Sequence, residues 1–449
     1  MQLSHSSAAT SVAFDDPNLV ASAGLVPVLR LAARCDLAGL VAENVTVPSP
    51  NVAAKTVTVV AGMVAGADSI DGLDRLRHGG MGRLFTGIRA PSTLGIFLRL
   101  FTFGHVGQLE KVLRLLLARL ASHTPLLQGA DELCWVDVDD TVKRVYGYKK
   151  QGAGYGYTGV KGLNALVAAL STAVSAPVIA ATRLRRGPTA SPRGAPGFVA
   201  SAVATARACG ATGLIVVRAD SGFYTGAIVA AVGRAGARFS ITAPQTTSVR
   251  ASIAAIDEQA WTPIHYPHAI FDDQAGGWIS DAEVAETTHT AFLSHTNKGR
   301  TVTARLIVRR VKRLNHQPDQ DVLVQAYRYH AILTDSPQPM LEAETNHRGH
   351  AIVEQVMADL KQGPLAHLPS GRFPANAAWL TLAGIALNLT RAAGCLASAY
   401  HATARPATIR DQLINIPARI ARSARQTRLH LPQGWRWEQP WQAMTTGLT

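Results

Sequence analysis

The chain has 449 residues, of which 47% are hydrophobic and 16% charged; this excludes a disordered protein and predicts two or three folded domains. Its formal net charge of +14 favours a polyanionic partner, because basic side chains that neutralise phosphates release counterions. The four cysteines lie far apart without a CxxC pair, which argues against a zinc ribbon or a secreted disulfide scaffold and indicates a reducing compartment.

The first 125 residues have the pattern of a mainly helical region. In GQLEKVLRLLLARL, the residues Leu109, Leu113, Leu116 and Leu120 recur at helical spacing and predict one buried face. The segment APSTLGIFLRLF opens with proline and serine, which is a helix-start signal. No specific DNA-binding motif is present here, so we expect a helical module that packs on the core, with DNA contact left open.

From about residue 130 the pattern changes to strands that alternate with helices, which predicts an α/β core. The strands are predicted in LCWVDVD, NALVAALS, APVIAATRLRRG, LIVVRAD and RFSITAP. Between them, FVASAVATARACG and FYTGAIVAAVGRAG predict helices that end at Gly210 and Gly236. Residues 246–327 break this alternation and predict a β-rich insertion, with Trp261 and Trp278 in its connections.

Two helices are predicted after the insertion, in ETNHRGHAIVEQVMADLKQG and in NAAWLTLAGIALNLTRAAG. Asn388 and Arg391 interrupt the second apolar segment, so we expect a buried helix and not a membrane span. The amino terminus lacks the basic-then-apolar order of a signal peptide. Together these features favour a soluble cytoplasmic protein without a membrane partner.

The carboxy-terminal segment is basic. Its arginines recur every three or four residues at Arg419, Arg422, Arg425 and Arg428, which predicts a basic stripe on a helix. Phosphate contact and a solvated face explain such a stripe equally well.

Two apolar strands end in carboxylates. Side chains alternate along a strand, so Asp137 and Asp139 face one way and Asp140 faces the other. Asp220 ends the strand LIVVRAD. Ligands of open α/β sheets gather near the carboxyl ends of strands, so we expect the two strand ends to share one site. Glu354, in an otherwise apolar helical segment, offers a third acid.

Three carboxylates in a basic protein indicate a magnesium site. Mg²⁺ prefers oxygen ligands, and two such ions about 4 Å apart can activate a water or a 3′-hydroxyl in phosphodiester cleavage. Without metal, the acids would repel DNA. For each acid alone, a turn, a helix cap or a solvated surface is the commoner explanation, and only their joint placement favours metal binding.

The glycine-rich segment GYGYTG, residues 154–159, matches the G-x-G-x-x-G pattern of dinucleotide-binding folds. That fold requires a strand immediately before the first glycine and a helix that begins in the loop, whereas here the strand ends well upstream. The loop carries Tyr155 and Tyr157, with Lys149 and Lys150 before it. It predicts a hairpin turn or a basic, aromatic loop that contacts DNA.

Three segments, VDVDDTVKRVYGYKKQGA, VVRADSGFY and HRGHAIVEQVMADLK, together resemble the DDE transposases of bacterial insertion sequences. The resemblance covers about residues 90–395 and is strongest to the insertion-sequence 1380 family of the insertion-sequence 4 group. It implies an α/β fold with a ribonuclease-H-like core, a mixed sheet flanked by helices. Together with the sequence patterns, this predicts five regions: 1–125 (helical), 130–245 (first part of the core), 246–327 (β-rich insertion), 328–400 (second part of the core) and 401–449 (basic tail).

The resemblance also implies the site residues. Asp139, Asp220 and Glu354 would be catalytic and would bind Mg²⁺ as two ions, with Mn²⁺ as a substitute. The third motif of the group has Tyr, two residues, Arg, three residues, Glu, six residues and Lys. Lys361 matches this spacing, but histidines stand at the Arg and Tyr positions. The expected DNA-phosphate contacts are Lys361, His350, His347 and Arg348, with Arg372 as a further compensating cation.

The implied function is cut-and-paste transposition in the bacterial cytoplasm, with nucleoid association when DNA is bound. The protein would bind the terminal inverted repeats of its element, pair the two ends as a homodimer, hydrolyse the end phosphodiester and attack target DNA with the freed 3′-hydroxyl. In some members of the group an aromatic residue stacks on a flipped base. Trp261 and Trp278 are therefore additional candidates, although a core position is the commoner role of a tryptophan. Asp137, which faces the same way as Asp139, is a further additional candidate.

Two alternatives remain open from the sequence. His347 and His350 favour a catalytically inactive DNA-binding relative of a transposase, because imidazole is a weaker phosphate donor than guanidinium. A ribonuclease-H-like nuclease that acts on other nucleic acid is the second. A zinc site formed by the histidines and Glu354 would leave Asp139 and Asp220 unexplained.

Overall fold

The computed structural model of the chain describes residues 11–147, 149–264, 271–272, 277–278, 282–294, 300–312, 327–423 and 426–447. A short strand, β1 (Leu19–Val20), precedes the amino-terminal helices. These helices are α1 (Leu25–Arg34), α2 (Leu37–Asn44), α3 (Val52–Val64), α4 (Met81–Leu84), α5 (Pro91–Arg99) and α6 (Phe103–His123). The long helix α6 begins at a capping box formed by Thr102 and His105. The predicted stripe is confirmed: the face of α6 buried in the core includes Leu109, Leu113, Leu116 and Leu120.

The next segment forms the centre of a mixed sheet. Its strands are β2 (Leu133–Arg144), β3 (Gly154–Tyr155), β4 (Lys161–Ser171), β5 (Val178–Arg186), β6 (Leu214–Ala219) and β7 (Arg238–Ala243), and its helices are α7 (Ala195–Ala208) and α8 (Gly226–Arg234). Strand β2 lies between β4, with which it is antiparallel, and β6, with which it is parallel. Strands β4 and β5 are antiparallel, whereas β6 and β7 are parallel. The predicted mixed sheet with flanking helices is therefore present.

The segment predicted as a β-rich insertion extends this sheet. It contains α9 (Thr247–Ala254), β8 (Thr262–Ile264), β9 (Phe271–Asp272), β10 (Gly277–Trp278), β11 (Ala282–Ala291), β12 (Val302–Lys312) and β13 (Tyr327–Thr334). Strand β13 pairs antiparallel with β7, and β12, β11 and β8 follow outward in that order. Strands β9 and β10 form a separate two-stranded hairpin.

The remaining chain is mainly helical, and before its last helix it contributes two strands to a small three-stranded sheet. Its helices are α10 (Met340–Arg348), α11 (Ile352–Lys361), α12 (Phe373–Ala397), α13 (Ala399–Thr403), α14 (Pro406–Ile409) and α15 (Glu438–Thr446). A 3₁₀ turn at Gly349–Ala351 separates α10 from α11, where the sequence predicts one helix. Helix α12 is long and apolar enough to cross a bilayer, but most of it is buried inside the described part of the protein, as a core helix is.

The predicted basic helix over residues 419–428 is wrong. This segment forms β14 (Ala418–Ser423) and β15 (Gln426–His430), which are antiparallel, and β14 also pairs with β1. Ala418 and Ile420 are buried and alternate with the exposed Arg419, so the period of two, and not the arginine spacing, governs the structure. Arg425 lies outside the described residues.

A buried polar side chain on α12 joins this helix to the sheet. Asn388 accepts a hydrogen bond from the N–H of Ile179 at 2.7 Å and donates one to the carbonyl of Ile179 at 2.8 Å. Ile179 lies beside an irregularity in the β4–β5 ladder, where the register shifts between Ala168 and Ala169. The asparagine that interrupts the apolar pattern of α12 therefore pairs backbone groups of the sheet.

We expect Asn388→Leu to lower the free energy of unfolding by about 2–4 kcal/mol, because it leaves the N–H and the carbonyl of Ile179 buried without these partners. Thr390→Val is the matched control, since the buried Thr390 hydroxyl bonds only within α12, to the Ala386 carbonyl at 2.8 Å. This control should cost less than about 1.5 kcal/mol. Urea titration followed by circular dichroism checks both values, and equal losses would contradict the role of Asn388.

Candidate active site

The register of two central strands brings the first two predicted acids together. In the parallel pair of β2 and β6, Asp137 is opposite Arg218 and Val138 is opposite Ala219. The next residues along β2 and β6 are Asp139 and Asp220. They therefore lie side by side, on neighbouring strands about 5 Å apart. Asp139 lies within β2, and Asp220 lies at the exposed end of β6, where it caps a short 3₁₀ turn.

Both carboxyl groups are electrostatically unfavourable as anions. Burial raises the pKa of Asp139 to about 6, and repulsion from the carboxylate of Asp220 contributes to this rise. Partial burial also raises the pKa of Asp220. Hydrogen bonds oppose these effects: the N–H of Asp140 donates to Asp139 at 2.7 Å, and the N–H of Gly222 donates to Asp220 at 3.0 Å. Two carboxylates arranged in this way attract a cation.

Asp137, on the same face of β2, has a different environment. It is fully buried, and Arg218 donates two hydrogen bonds to its oxygens, from Nε and Nη2, each at 2.7 Å. His350 Nδ1 lies 2.8 Å from Oδ1 of Asp137. Although burial raises the pKa of Asp137, the Arg218 charge and the His350 hydrogen bond outweigh burial and hold the pKa below its usual range. Asp137, predicted as an additional site residue, is thus neutralised by Arg218.

Asp140 faces the other side of β2, as the strand alternation predicts. It forms a buried ion pair with Arg185 of β5. Arg185 also donates from Nε to the side-chain oxygen of Asn164 at 2.9 Å and from Nη1 to the carbonyl of Ser191 at 2.8 Å. Asp140 therefore anchors the loop that follows β5.

Helix α11, which carries the third predicted acid, packs against β2 and β4. It buries Val353, Val356 and Leu360, while Glu354 and Lys361 are exposed. The side chain of Glu354 makes no hydrogen bond or ion pair with the other described residues. Across the described ranges, no three His, Cys, Asp or Glu side chains converge closely enough to form a metal-binding group. The structure thus brings Asp139 and Asp220 together but leaves Glu354 outside a formed cluster.

The two histidines of the predicted phosphate contact differ in their surroundings. Both ring nitrogens of His347 are hydrogen-bonded, Nδ1 to the Ser240 hydroxyl at 2.8 Å and Nε2 to the Thr242 hydroxyl at 3.0 Å. Burial lowers the pKa of His347 to about 3, with a further contribution from His350, so the ring is neutral. Phosphate contact by His347 would require these hydrogen bonds to break. His350, in contrast, uses Nδ1 for Asp137, and its charge opposes in part the rise in the pKa values of Asp139 and Asp220.

Three other predicted residues are placed as follows. Arg348 donates to Glu344 at 2.9 Å. Trp261 is only 9% exposed, and the Arg310 guanidinium lies 4.2 Å from its ring centroid, so this tryptophan has a core position. Trp278 lies in β10, and its side chain is outside the described residues.

The structure adds two residues to this region that the sequence did not single out for the site. The Tyr157 side chain is largely exposed, but partial desolvation raises its pKa, and the carboxylates of Asp140, Asp139 and Asp220 raise it further. The phenol of the glycine-rich loop therefore lies near the acids. Lys143 lies four residues after Asp139 and therefore on the same face of β2. Burial and the charge of Lys361 lower the pKa of Lys143. The period of two along β2 was the signal for Lys143.

The chain matches the family profile described as transposase DDE domain group 1 over residues 8–449. It belongs to this transposase family. No curated protein matches the chain. For a transposase, the basic surplus has a natural partner, because DNA is the substrate. The match includes the amino-terminal helices of the transposase and its carboxy-terminal strands as well as the strands that carry the acids.

Two aspartates on one face of β2 should respond in opposite directions to the same substitution. Asp137→Asn removes the charge partner of buried Arg218 and should lower the free energy of unfolding by about 3–5 kcal/mol. Asp139→Asn removes an unfavourable carboxylate and should raise the free energy of unfolding by about 1–2 kcal/mol at pH 7, after allowance for solvent screening.

The sign for Asp139 follows from its pKa, which rises on folding from the usual 3.8 to about 6. Between these values the unfolded chain loses the proton first, so stability falls as the pH rises to about 6 and stays lower above it. Urea titrations of the transposase and the Asp139→Asn variant in chelator should show nearly equal stability at pH 4 and a difference at pH 7. A difference that does not change with pH, or an Asp137→Asn variant as stable as the parent, would contradict these assignments.

Proposed function

We propose that this transposase cuts DNA at the ends of its own element and joins those ends to target DNA, with Asp139, Asp220 and Glu354 as the metal ligands. The observation that carries the proposal is the level register of Asp139 and Asp220 on adjacent parallel strands, where both carboxyl groups have raised pKa values. Perturbed carboxyl groups that lie close together on neighbouring strands are typical of functional sites.

The strand order supports a ribonuclease-H-like core. The strands lie in the order β5, β4, β2, β6, β7, with antiparallel pairs on one side of β2 and parallel pairs on the other. Apart from the two-residue β3, Asp139 lies on the first strand of this core and Asp220 follows the fourth. Glu354 lies on a later helix, after the strands that extend the sheet. The family resemblance implies the same order, with the first Asp on the first core strand, the second Asp after the fourth strand and the Glu on a later helix.

The donor set fits magnesium. Asp139 and Asp220 offer only oxygen ligands and have no Arg or Lys ion-pair partner among the described residues, so a divalent cation would relieve their repulsion. Bound there, two Mg²⁺ ions, or Mn²⁺ in their place, would activate the attacking oxygen and stabilise the leaving oxygen of the phosphodiester.

Two contacts along β2 and α11 support Glu354 as the third ligand. His350 contacts Asp137, and farther along both elements Lys361 acts on Lys143, so the helix and the strand run side by side in the same direction. His350 lies in the turn just before α11, and Glu354 follows it by four residues, a rise of about 6 Å at helical spacing; Asp139 lies about 7 Å beyond Asp137 along the strand. Glu354 therefore comes roughly level with Asp139, and its exposed side chain would turn toward Asp139 when the metal binds.

The basic residues of the same elements would hold the DNA backbone. Lys361 and Lys143 bring two ammonium groups close together, and their mutual repulsion favours a phosphate between them. The Nδ1 atom of His350 contacts Asp137, whereas its Nε2 atom has no hydrogen bond to the described residues. We assign phosphate contact to Lys361 and His350, with His347 holding the end of α10 against β7. The active form would be a homodimer that pairs two element ends in the bacterial cytoplasm, associated with the nucleoid.

Substitution of each acid should abolish cleavage without abolishing DNA binding. With a supercoiled plasmid that carries the gene and its flanking DNA, Asp139→Asn, Asp220→Asn and Glu354→Gln should each lower Mg²⁺-dependent nicking by roughly 100-fold or more. Asp131→Asn and Glu132→Gln are matched controls, because both side chains are exposed near the opposite end of β2 and make no hydrogen bond or ion pair with described residues. Gel separation of nicked and supercoiled plasmid measures the rates.

A thermal-shift series with Mn²⁺ provides a second readout, independent of cleavage. Mn²⁺ should raise the Tm of the parent protein and have little effect on Asp139→Asn or Asp220→Asn. A parent protein that binds the plasmid but does not nick it, with no change on Asp220→Asn, would overturn the proposal in favour of an inactive DNA-binding relative.

The role of Lys361 has its own test. Lys361→Ala should reduce the slope of log affinity against log salt by about one for a duplex that includes the element end, since one phosphate contact is lost. Lys111→Ala removes an exposed lysine of α6 and is the matched control. Fluorescence anisotropy at several salt concentrations gives the slope, and an unchanged slope for Lys361→Ala would argue against the contact.

A further inference from the structure

The antiparallel strands β14 and β15 form a basic ribbon at the surface. Their register runs from Arg419 opposite His430 to Ser423 opposite Gln426. Residues opposite each other in such a pair share a face, and successive residues alternate between faces. We define the outer face of the ribbon by its six members: Arg419, Ala421, Ser423, Gln426, Arg428 and His430.

The inner face explains why this outer face is exposed. Ala418 and Ile420 are buried, and Leu429, opposite Ile420, packs against the same core. Strand β1 pairs only with Ala418 and Arg419 of β14. Beyond Arg419, the described part of the ribbon has two strands, one face attached to the protein and the other presented to solvent.

The outer face carries positive charge and hydrogen-bonding groups but no acid. Arg428, Gln426 and His430 are exposed, and their side chains make no hydrogen bond or ion pair with the rest of the described protein. Arg419 donates to Asp16 at 3.0 Å, so its charge is partly compensated. Ala421, between these polar residues, is small enough to let another surface approach closely.

Further arginines flank the ribbon. Arg422, on the inner face beyond the buried residues, donates to the carbonyl of Arg83 at 3.4 Å. Arg83, which is exposed, donates to the side chain of Asn18 at 2.6 Å. Both arginines are exposed near the ribbon, and exposed guanidinium groups suit contacts to a phosphate backbone.

We propose that the outer face of this ribbon enters the major groove of duplex DNA and reads the base sequence at the element ends. The major groove, about 12 Å wide, admits a two-stranded β-ribbon. The outer face contains the side chains that read base edges: arginine pairs with guanine, glutamine pairs with adenine, and serine bonds to either. Strands of five or six residues extend about 17–20 Å and would follow about five base pairs.

This inference rests on the proposed function, because a transposase that cuts its own ends must distinguish them from other DNA. It assigns that recognition to residues separate in sequence from Asp139, Asp220 and Glu354. The phosphate contacts of Lys361 and His350 position the backbone, whereas the ribbon carries the sequence information.

Selection from a random-sequence pool of duplexes tests the proposal, with EDTA present so that cleavage cannot occur. The parent protein should enrich one sequence. The double variant Gln426→Ala with Arg428→Ala should lose the preference at two or three adjacent base pairs and bind the enriched duplex about 10-fold or more weakly. Its affinity for an unrelated duplex should fall less than about threefold, since only one positive charge is removed.

The matched control is Arg250→Ala with Gln259→Ala, which removes an exposed arginine and an exposed glutamine elsewhere. This control should enrich the parent sequence, and circular dichroism should show that both double variants are folded. The proposal is overturned if the ribbon variant enriches the same sequence with the same affinity, or if the parent enriches no sequence. Asp139→Asn should enrich as the parent does, so that a failure of the catalytic proposal is distinguished from a failure of this one.

Discussion

The buried ion pair of Asp137 and Arg218 organises the centre of this transposase. The two residues are direct partners in the parallel register of β2 and β6, so a shift of one residue would separate the charges and bury both without a partner. Arg218 also donates to the carbonyl of Asn346 at the end of α10, and Asp137 holds His350 before α11. One contact therefore aligns two strands and places the helix of Glu354 beside them.

The three aspartates of β2 differ in how their charge is compensated. Asp137 and Asp140 are each paired with a buried arginine, Arg218 and Arg185, whose charge compensates for the lost hydration. Asp139, between them, has no such partner in the described structure and faces Asp220. Although the chain has a net charge of +14, this carboxylate pair has no arginine or lysine partner, and the pair therefore favours the binding of a cation. The two ion pairs join β2 to Arg185 of β5 and to Arg218 of β6, and the uncompensated pair would hold the metal ions of the proposed site.

The rest of the described chain extends this sheet and adds the ribbon that is proposed to contact DNA. Strands β13, β12, β11 and β8 continue the sheet beyond β7, so the segment between Asp220 and Glu354 is continuous with the core. The ribbon of β14 and β15 presents arginine and glutamine on its outer face, where Asp16 compensates only Arg419. Backbone contact near the acids and base contact at the ribbon are different tasks, and separate elements with different side chains would perform them.

The local pattern of apolar and polar residues was sufficient to predict several of the strands and helices. The periods of burial located the strands around Asp139 and Asp220 and the helices α6 and α12, because the spacing of apolar residues reflects which face of an element is buried. Motif order was sufficient for the family. The charge states of the aspartates were not readable, since the partner of Asp137 is 81 positions away and is set by strand register. The same holds for the Arg419–Arg428 segment, for the hydrogen bonds of His347 and for the burial of Trp261: each results from contacts between segments that are distant in the chain, which no local spacing encodes.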